Sequence, residues 1–240
     1  MTTLRSLLCS LLLSGLIAAP AHGQAKPAFE DFARVRDEVR ALAFDPATYF
    51  PSRFIRDGAM IRIAYTGDDY AWPVYSLAIA KGCLDEEPRS KDCLSRLTAR
   101  MVRAPAPADL QRPRQRGAHM VRELARRQAA SPSSMPSHLS ALKVEWLEAD
   151  LRSCPGATSL LARSADLSWV PKEISNPDAS DLVSPVLHAD MVEVVFERYA
   201  RRSTWRGYIA GSSPAAWAVE LAETLEPCWK PARTAPPWRR

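Results

Sequence analysis

The sequence is poor in glycine and histidine, on which many local catalytic motifs depend. It contains nine glycines and four histidines among 240 residues. It has no G-x-S-x-G elbow, no H-E-x-x-H helix, no phosphate-cradling glycine loop and no dinucleotide fingerprint. The enzymes that carry such local signatures are therefore excluded, whereas a hydrolase whose site has no local signature stays open.

The cysteines lack the close spacing that metal sites and redox enzymes use. Apart from Cys9 there are four, Cys83, Cys93, Cys154 and Cys228, and no two of them form a C-x-x-C pair. An even number in an exported chain indicates disulfides, although four cysteines allow three pairings. We predict the pairs Cys83–Cys93 and Cys154–Cys228, with no metal and no cofactor.

Long apolar runs are absent outside the first 25 residues. There, Leu7 through Ala19 form an apolar segment that follows a short basic end. Ala21 and Gly23 then supply the small residues of a cleavage site. This layout predicts a signal peptide over residues 1–23, and the run is short for a membrane span. We expect a periplasmic or secreted, soluble mature protein without a transmembrane segment.

Proline is frequent, at 20 residues, which together with scarce glycine favours short helices with stiff connections. Residues 24–130 are interpreted as a helical region. Apolar residues at helical spacing predict helices over 28–43 and 114–129. The segment GDDYAWPVYSLAIAKG (67–82) and the segment that Cys93 opens are also interpreted as helices.

Residues 131–137 form a candidate boundary, and residues 138–229 are interpreted as an α+β region. Valine and aromatic residues at 191–199 favour a strand that pairs with STWRGYIAG around Arg201 and Arg202, with Glu197 opposite Arg206. A helix starting at Asp190 is the alternative. The segment VEWLEADL is ambiguous between helix and strand, and we expect it to be a third strand beside the hairpin.

The chain closes with a predicted helix and a tail. Pro214 suits the first turn of this helix, and Trp217, Leu221 and Leu225 would form its buried face. Residues 230–240 are expected to be a flexible tail. The predicted fold is therefore α+β, with an N-terminal half of short antiparallel helices. Its C-terminal half is a small antiparallel sheet of about three strands, packed by a C-terminal helix, and there are two disulfides.

The titratable residues offer few catalytic arrangements. His188 and Asp190 could orient an imidazole, but a polar loop entering a strand is the favoured interpretation. The carboxylates Glu145, Glu148 and Asp150 cluster in sequence, yet on a strand or helix they more often form a solvated edge. Most of the tryptophans Trp146, Trp169, Trp205, Trp217 and Trp229 are interpreted as core. No residue is assigned a catalytic role.

Positive charge is concentrated in one segment. Between Arg96 and Arg127 there are nine arginines against two acids, in a chain of net charge +5. A solvated helix face explains most of this pattern. Arg112, Arg114 and Arg116 flank Pro113, and we hypothesise that they bind an anionic envelope component, since arginine pairs well with phosphate. Export disfavours nucleic acid as a partner.

These features favour an exported, non-catalytic binding or interaction module of the cell envelope. One alternative is a hydrolase that acts on an envelope or extracellular substrate. The other alternative is a helical scaffold for a protein partner.

Overall fold

The structure, a computed structural model, describes nine segments of the chain: residues 29–50, 60–68, 70–81, 96–106, 113–131, 133–167, 190–198, 201–209 and 213–240. The five α-helices of these segments are α1 (Phe29–Leu42), α2 (Pro113–Ala130), α3 (Met135–Ala141), α4 (Ala157–Ala162) and α5 (Ser213–Leu225). Single 3-10 turns lie at Pro46–Thr48, Leu151–Ser153, Arg163–Asp166, Glu226–Cys228 and Pro237–Arg239.

Among the described segments, one antiparallel sheet of seven strands forms the centre of the fold. They are β1 (Ile61–Gly67), β2 (Trp72–Lys81), β3 (Leu97–Arg103), β4 (Glu145–Asp150), β5 (Met191–Arg198), β6 (Arg201–Tyr208) and β7 (Lys230–Pro231). Their order across the sheet is β6-β5-β1-β2-β3-β4-β7. Strands from both halves of the sequence therefore belong to one sheet.

Helices cover both faces of the sheet. Alternate strand residues such as Ile63, Leu77 and Met101 pack with Trp217 and Leu221 on what we term the α5 face. The residues between them, such as Ala78 and Val102, pack with α1, α2 and α3 on what we term the α2 face. The period of two along each strand sends successive side chains to opposite cores.

The prediction that the N-terminal half consists only of short antiparallel helices is wrong, because it also contributes strands β1, β2 and β3 to the sheet. Residues 72–81 are the central strand β2, and residues 97–103 are strand β3, which pairs with it. Strand β2 is buried on both faces, so its sequence is an almost continuous apolar run rather than an alternating one. Such a run cannot be told from a buried helix by periodicity. In β3, Ala99 and Met101 share one face, whereas Val102 lies on the other.

The predicted hairpin of β5 and β6 is confirmed, but its register differs. Arg198 pairs with Arg201, so Glu197 lies opposite Arg202 instead of Arg206. Strand β4 exists, although the prediction placed it beside the hairpin. It lies instead across the sheet between β3 and β7. The predicted small sheet of about three strands is therefore corrected to seven.

Three predicted helices are confirmed as α1, α2 and α5. In α1, Val35 and Val39 are fully buried, and in α5 the predicted face of Trp217, Leu221 and Leu225 is buried. These helices are amphipathic, with one side packed on the sheet. The spacing of their apolar residues, at every third or fourth position, is therefore sufficient to predict these helices from the sequence.

The chain end is tied to the body of the protein. Cys154 and Cys228 form a disulfide with an S–S distance of 2.07 Å across 74 residues. A closed loop of this length stabilises the fold by about 4.5 kcal/mol in the chain-entropy estimate. Two disulfides were predicted, and this is the one found among the described residues. Cys83 and Cys93 lie outside them.

The last residues, expected to form a flexible tail, pack on the α2 side of the sheet. Strand β7 pairs with β4, and the indole of Trp146 donates to the carbonyl of Thr234 at 3.0 Å. Trp238 is buried, with its Nε1 donating to Ser140 at 3.3 Å. In the part of the chain that the structure describes, no helix has the length and apolar character that a membrane span needs.

Candidate functional site

A cleft of about 280 Å³ opens where the end of α1 overhangs the α2 face of the sheet. We call it the α1 cleft. Its wall comes from the end of α1 and the turn after it, with Arg40, Phe44, Asp45 and Pro46. Its floor comes from the three strands at one side of the sheet, with Arg62, Ala64, Glu193, Val195 and Arg202.

The wall is fixed by the way α1 ends. Asp45 accepts a hydrogen bond from the amide of Ala47 at 2.9 Å, and Pro46 starts the 3-10 turn that follows. A capping carboxylate followed by proline stops a helix at a defined residue. The wall therefore meets the floor at a fixed position rather than through a long loop.

Tyr49 anchors this turn to the sheet. Its hydroxyl donates to the carbonyl of Ala43 at 2.9 Å and shares a short hydrogen bond with Ser76 of β2. Burial raises the pKa of Tyr49 well above its usual value. The phenol therefore stays neutral and keeps both hydrogen bonds.

The floor carries a triad of alternating charge. Arg62 of β1 forms an ion pair with Glu197 of β5, and Arg202 of β6 lies 3.9 Å from the same carboxylate. The Arg62 side chain is only 15% exposed, and its Nε has no hydrogen-bond partner among the described residues. One carboxylate thus holds two guanidinium groups, leaving the triad with a net positive charge.

Two further charges face the cleft from opposite sides. Arg40 lies in the last turn of α1, and Glu193 lies on β5 next to Ala64 of β1. Within the described segments, neither side chain makes a hydrogen bond or a close ion pair, although Arg40 joins Arg36 in lowering the pKa of Asp37. Both are therefore available to a ligand, one as a cation and one as an anion.

The carboxylates that cluster in sequence do not form one site. Glu145 binds Arg103 at 2.5 Å on the α5 face, whereas Glu148 lies on the α2 face, paired in register with Arg100. Asp150 caps the 3-10 turn that begins at Leu151 by accepting from Arg152 at 3.0 Å. Each of these carboxylates makes a contact within the fold that accounts for its position.

Arg100 and Glu148 form a buried polar cluster that the sequence did not predict. The Arg100 guanidinium donates to the carbonyl of Tyr49 at 2.9 Å and lies 4.8 Å from the ring of Phe50. Its carbon also lies 5.9 Å from the Trp146 ring. Arg233 of the chain end approaches Glu148 at 4.0 Å. These contacts join the tail to the sheet, so we assign the cluster to structure rather than to ligand binding.

The other candidates have separate positions. Asp190 accepts from the hydroxyl of Tyr65 at 2.7 Å and from the amide of Asp68 at 3.2 Å, whereas His188 lies outside the described residues. Asp190 therefore stabilises the β1–β2 turn. Trp146, Trp205 and Trp217 are buried, as the core interpretation predicted, and Trp169 lies outside the described residues.

Two of the three arginines of the anion-binding hypothesis lie at the start of a helix. Arg114 and Arg116 belong to the first turn of α2, and Arg112 lies outside the described residues. Arg116 is partly buried. Arg116 does not line the α1 cleft.

Sequence reasoning missed all the charged residues of the α1 cleft. A signal existed for Arg62, because Ile61, Ile63 and Tyr65 alternate with it and place it on the other face of the strand. No local signal could link Arg40 to β5, since their proximity depends on the order of the strands.

Comparison of the sequence with known protein families, with curated proteins and with solved structures finds no match. The function of the cleft is therefore argued from its own residues.

Proposed function

We propose that the protein is an exported, non-catalytic binding module of the cell envelope, and that the α1 cleft binds its ligand. The signal-peptide pattern of residues 1–23 supports export. The cleft supports binding because it brings Arg40 of α1 and Glu193 of β5, which have no described ion pair, to one concave surface.

The size and rigidity of the cleft favour a small ligand. Its volume of about 280 Å³ is near the lower end of the range for small-molecule sites. The wall is held to β2 through Tyr49, and the floor is part of a seven-stranded sheet. A preformed surface loses little conformational entropy when a ligand binds, so binding is weakened less.

The experiment is ligand capture followed by mass spectrometry. The mature protein is incubated with the low-molecular-mass fraction of an envelope extract, washed, and denatured to release what it holds. We expect one or a few small molecules to be enriched by the parent protein. Their re-addition should raise its melting temperature. Recovery of no enriched molecule would contradict the proposal.

A matched pair of arginine variants locates the bound molecule. Arg202 of the cleft and Arg163, which binds Glu220 between α4 and α5, have equally exposed side chains, at 59% each. Arg202→Gln should reduce capture about tenfold or more, because a lost charged contact costs about 1.5–3 kcal/mol. Arg163→Gln should leave capture unchanged. An equal effect of both substitutions would place the ligand elsewhere.

The anionic-surface hypothesis for Arg112, Arg114 and Arg116 stays a separate prediction. The protein should co-sediment with anionic vesicles at low salt and be released at physiological salt. Replacement of the three arginines by glutamine should abolish this binding. If the variant sediments like the parent, the segment is a solvated helix end.

A further inference from the structure

We propose that the ligand of the α1 cleft is a small zwitterion that carries a carboxylate and an ammonium group, as a free amino acid does. This inference rests on the proposed function, since it names the ligand class of the same cleft. It comes from the distribution of charge between the wall and the floor.

The balance of charge disfavours a simple anion or a simple cation. The triad of Arg62, Glu197 and Arg202 leaves a net positive charge, to which Arg40 adds another. The carboxylate of Asp45 also lines the wall, but it already accepts a hydrogen bond from the amide of Ala47. The half-buried carboxylate of Glu193 lies in the same cleft. A simple anion would be placed near this carboxylate, and a simple cation would be placed near three guanidinium groups. Like charges that line the same cleft weaken binding.

A zwitterion satisfies both sides together. Its carboxylate can accept two hydrogen bonds from a guanidinium such as Arg40, which presents its donors in a planar fork. The Nε of Arg62 is a further buried donor without a partner among the described residues. The ammonium group can donate to Glu193. Each charge of the ligand then pairs with an opposite charge of the cleft. This pairing offsets the free-energy cost of removing the ligand charges from water.

The rest of the cleft fits a modest apolar side chain. Phe44 and Val195 are buried residues that line the cleft, and Ala41 and Ala64 add small methyl groups. A cleft of about 280 Å³ accommodates a single amino acid but not a polysaccharide or a folded partner. An aliphatic amino acid therefore matches both the charges and the volume.

The test uses three forms of one molecule and the full mature protein. Leucine carries both charges, N-acetyl-leucine lacks the ammonium group, and leucinamide lacks the carboxylate. Calorimetric titration should show leucine binding at least tenfold more tightly than either derivative. The cleft variants should separate the contributions of the two charged groups. Glu193→Gln should abolish the preference for leucine over N-acetyl-leucine. Arg40→Gln should weaken leucine and N-acetyl-leucine but not leucinamide.

The outcomes separate this inference from the proposed function. If N-acetyl-leucine binds as tightly as leucine, the cleft is an anion site and the inference is wrong, although the binding function stands. If none of the three binds, the inference is also overturned, whatever ligand the capture experiment identifies. If capture itself fails, the proposed function falls. Circular dichroism of both variants checks that a loss of affinity is not a loss of fold.

Discussion

Tyr49 and Tyr75 both bury the hydroxyl group, but they differ in whether that hydroxyl has a hydrogen-bond partner. Tyr49 donates to Ala43 and contacts Ser76, whereas the hydroxyl of Tyr75 is buried without a partner among the described residues. Tyr49→Phe should therefore lower the free energy of unfolding by about 1–3 kcal/mol, because two partners are left unsatisfied. Tyr75→Phe should leave it unchanged or slightly higher. Urea denaturation at neutral pH measures both, and equal losses would contradict the assignment.

The same pair predicts a pH dependence. Burial raises the pKa of both tyrosines in the folded protein. Above the ordinary tyrosine pKa of about 10, the unfolded chain loses these protons while the folded chain keeps them. The free energy of unfolding is therefore unaffected by the ionisation of these tyrosines below about pH 10. Above it, this free energy falls by about 1.4 kcal/mol per pH unit for each tyrosine. Either phenylalanine variant should show a shallower alkaline decline than the parent.

Individual site residues could be predicted only where a local pattern reports them. The alternation around Arg62 places it on the face opposite Ile61 and Ile63. Arg40 carries no such signal, since a charged residue in the last turn of a helix is ordinary. Its role depends on a strand far away in sequence, so residue-level reasoning could not find the cleft.

At the scale of elements, the close contact between α2 and β2 depends on one glycine. A Cβ atom at Gly117 would lie 2.7 Å from the carbonyl oxygen of Pro73 and 3.1 Å from the Cβ of Trp72. Gly117→Ala should lower the melting temperature, with a loss of about 1–3 kcal/mol, because the helix must move away from the strand.

The neighbouring position provides the control. Helix propensity alone favours alanine over glycine by about 1 kcal/mol, so it predicts that Gly117→Ala stabilises and that Ala118→Gly destabilises. We expect both substitutions to destabilise. A stabilised Gly117→Ala protein would show that α2 does not approach β2 as closely as described.

Elements that face solvent on one side were predictable, and those buried on both sides were not. α1, α2 and α5 have one apolar side, and their spacing identified them. β2 has two apolar faces, so its sequence could equally have formed a buried helix. In the hairpin, valines and aromatics indicated strands, but the turn position was not encoded by glycine or asparagine, and the register was missed by several residues.

At the scale of the whole molecule, the error was to treat the two halves of the chain as separate. β5 and β6 pair beside β1, and β4 pairs beside β3, so strands from the second half flank those of the first on both sides. Such pairing is a property of long-range contacts, which no window of sequence reports. The α1 cleft exists only because of it, since its floor combines β1 with β5 and β6.

The C-terminal tail gives the strongest test of this architecture. If residues 230–240 were flexible, replacing Trp238 would not change the stability of the protein. The structure instead buries Trp238 on the α2 side, bonded to Ser140, while Arg240 donates to the carbonyl of Thr48 at 2.9 Å. Trp238→Ala should then lower the free energy of unfolding by about 3–5 kcal/mol, as for other buried tryptophans.

An exposed neighbour on the same turn serves as the matched control. Arg239 donates to Ser140 from the surface, so Arg239→Ala should cost no more than about 1 kcal/mol. Both variants are compared by chemical denaturation with the Cys154–Cys228 disulfide intact, because its loss would add a separate effect. Equal stability of the Trp238→Ala variant and the parent would show that the tail does not pack on the sheet. The buried cluster of Arg100 and Glu148, which Arg233 of the tail approaches, would then be open to solvent.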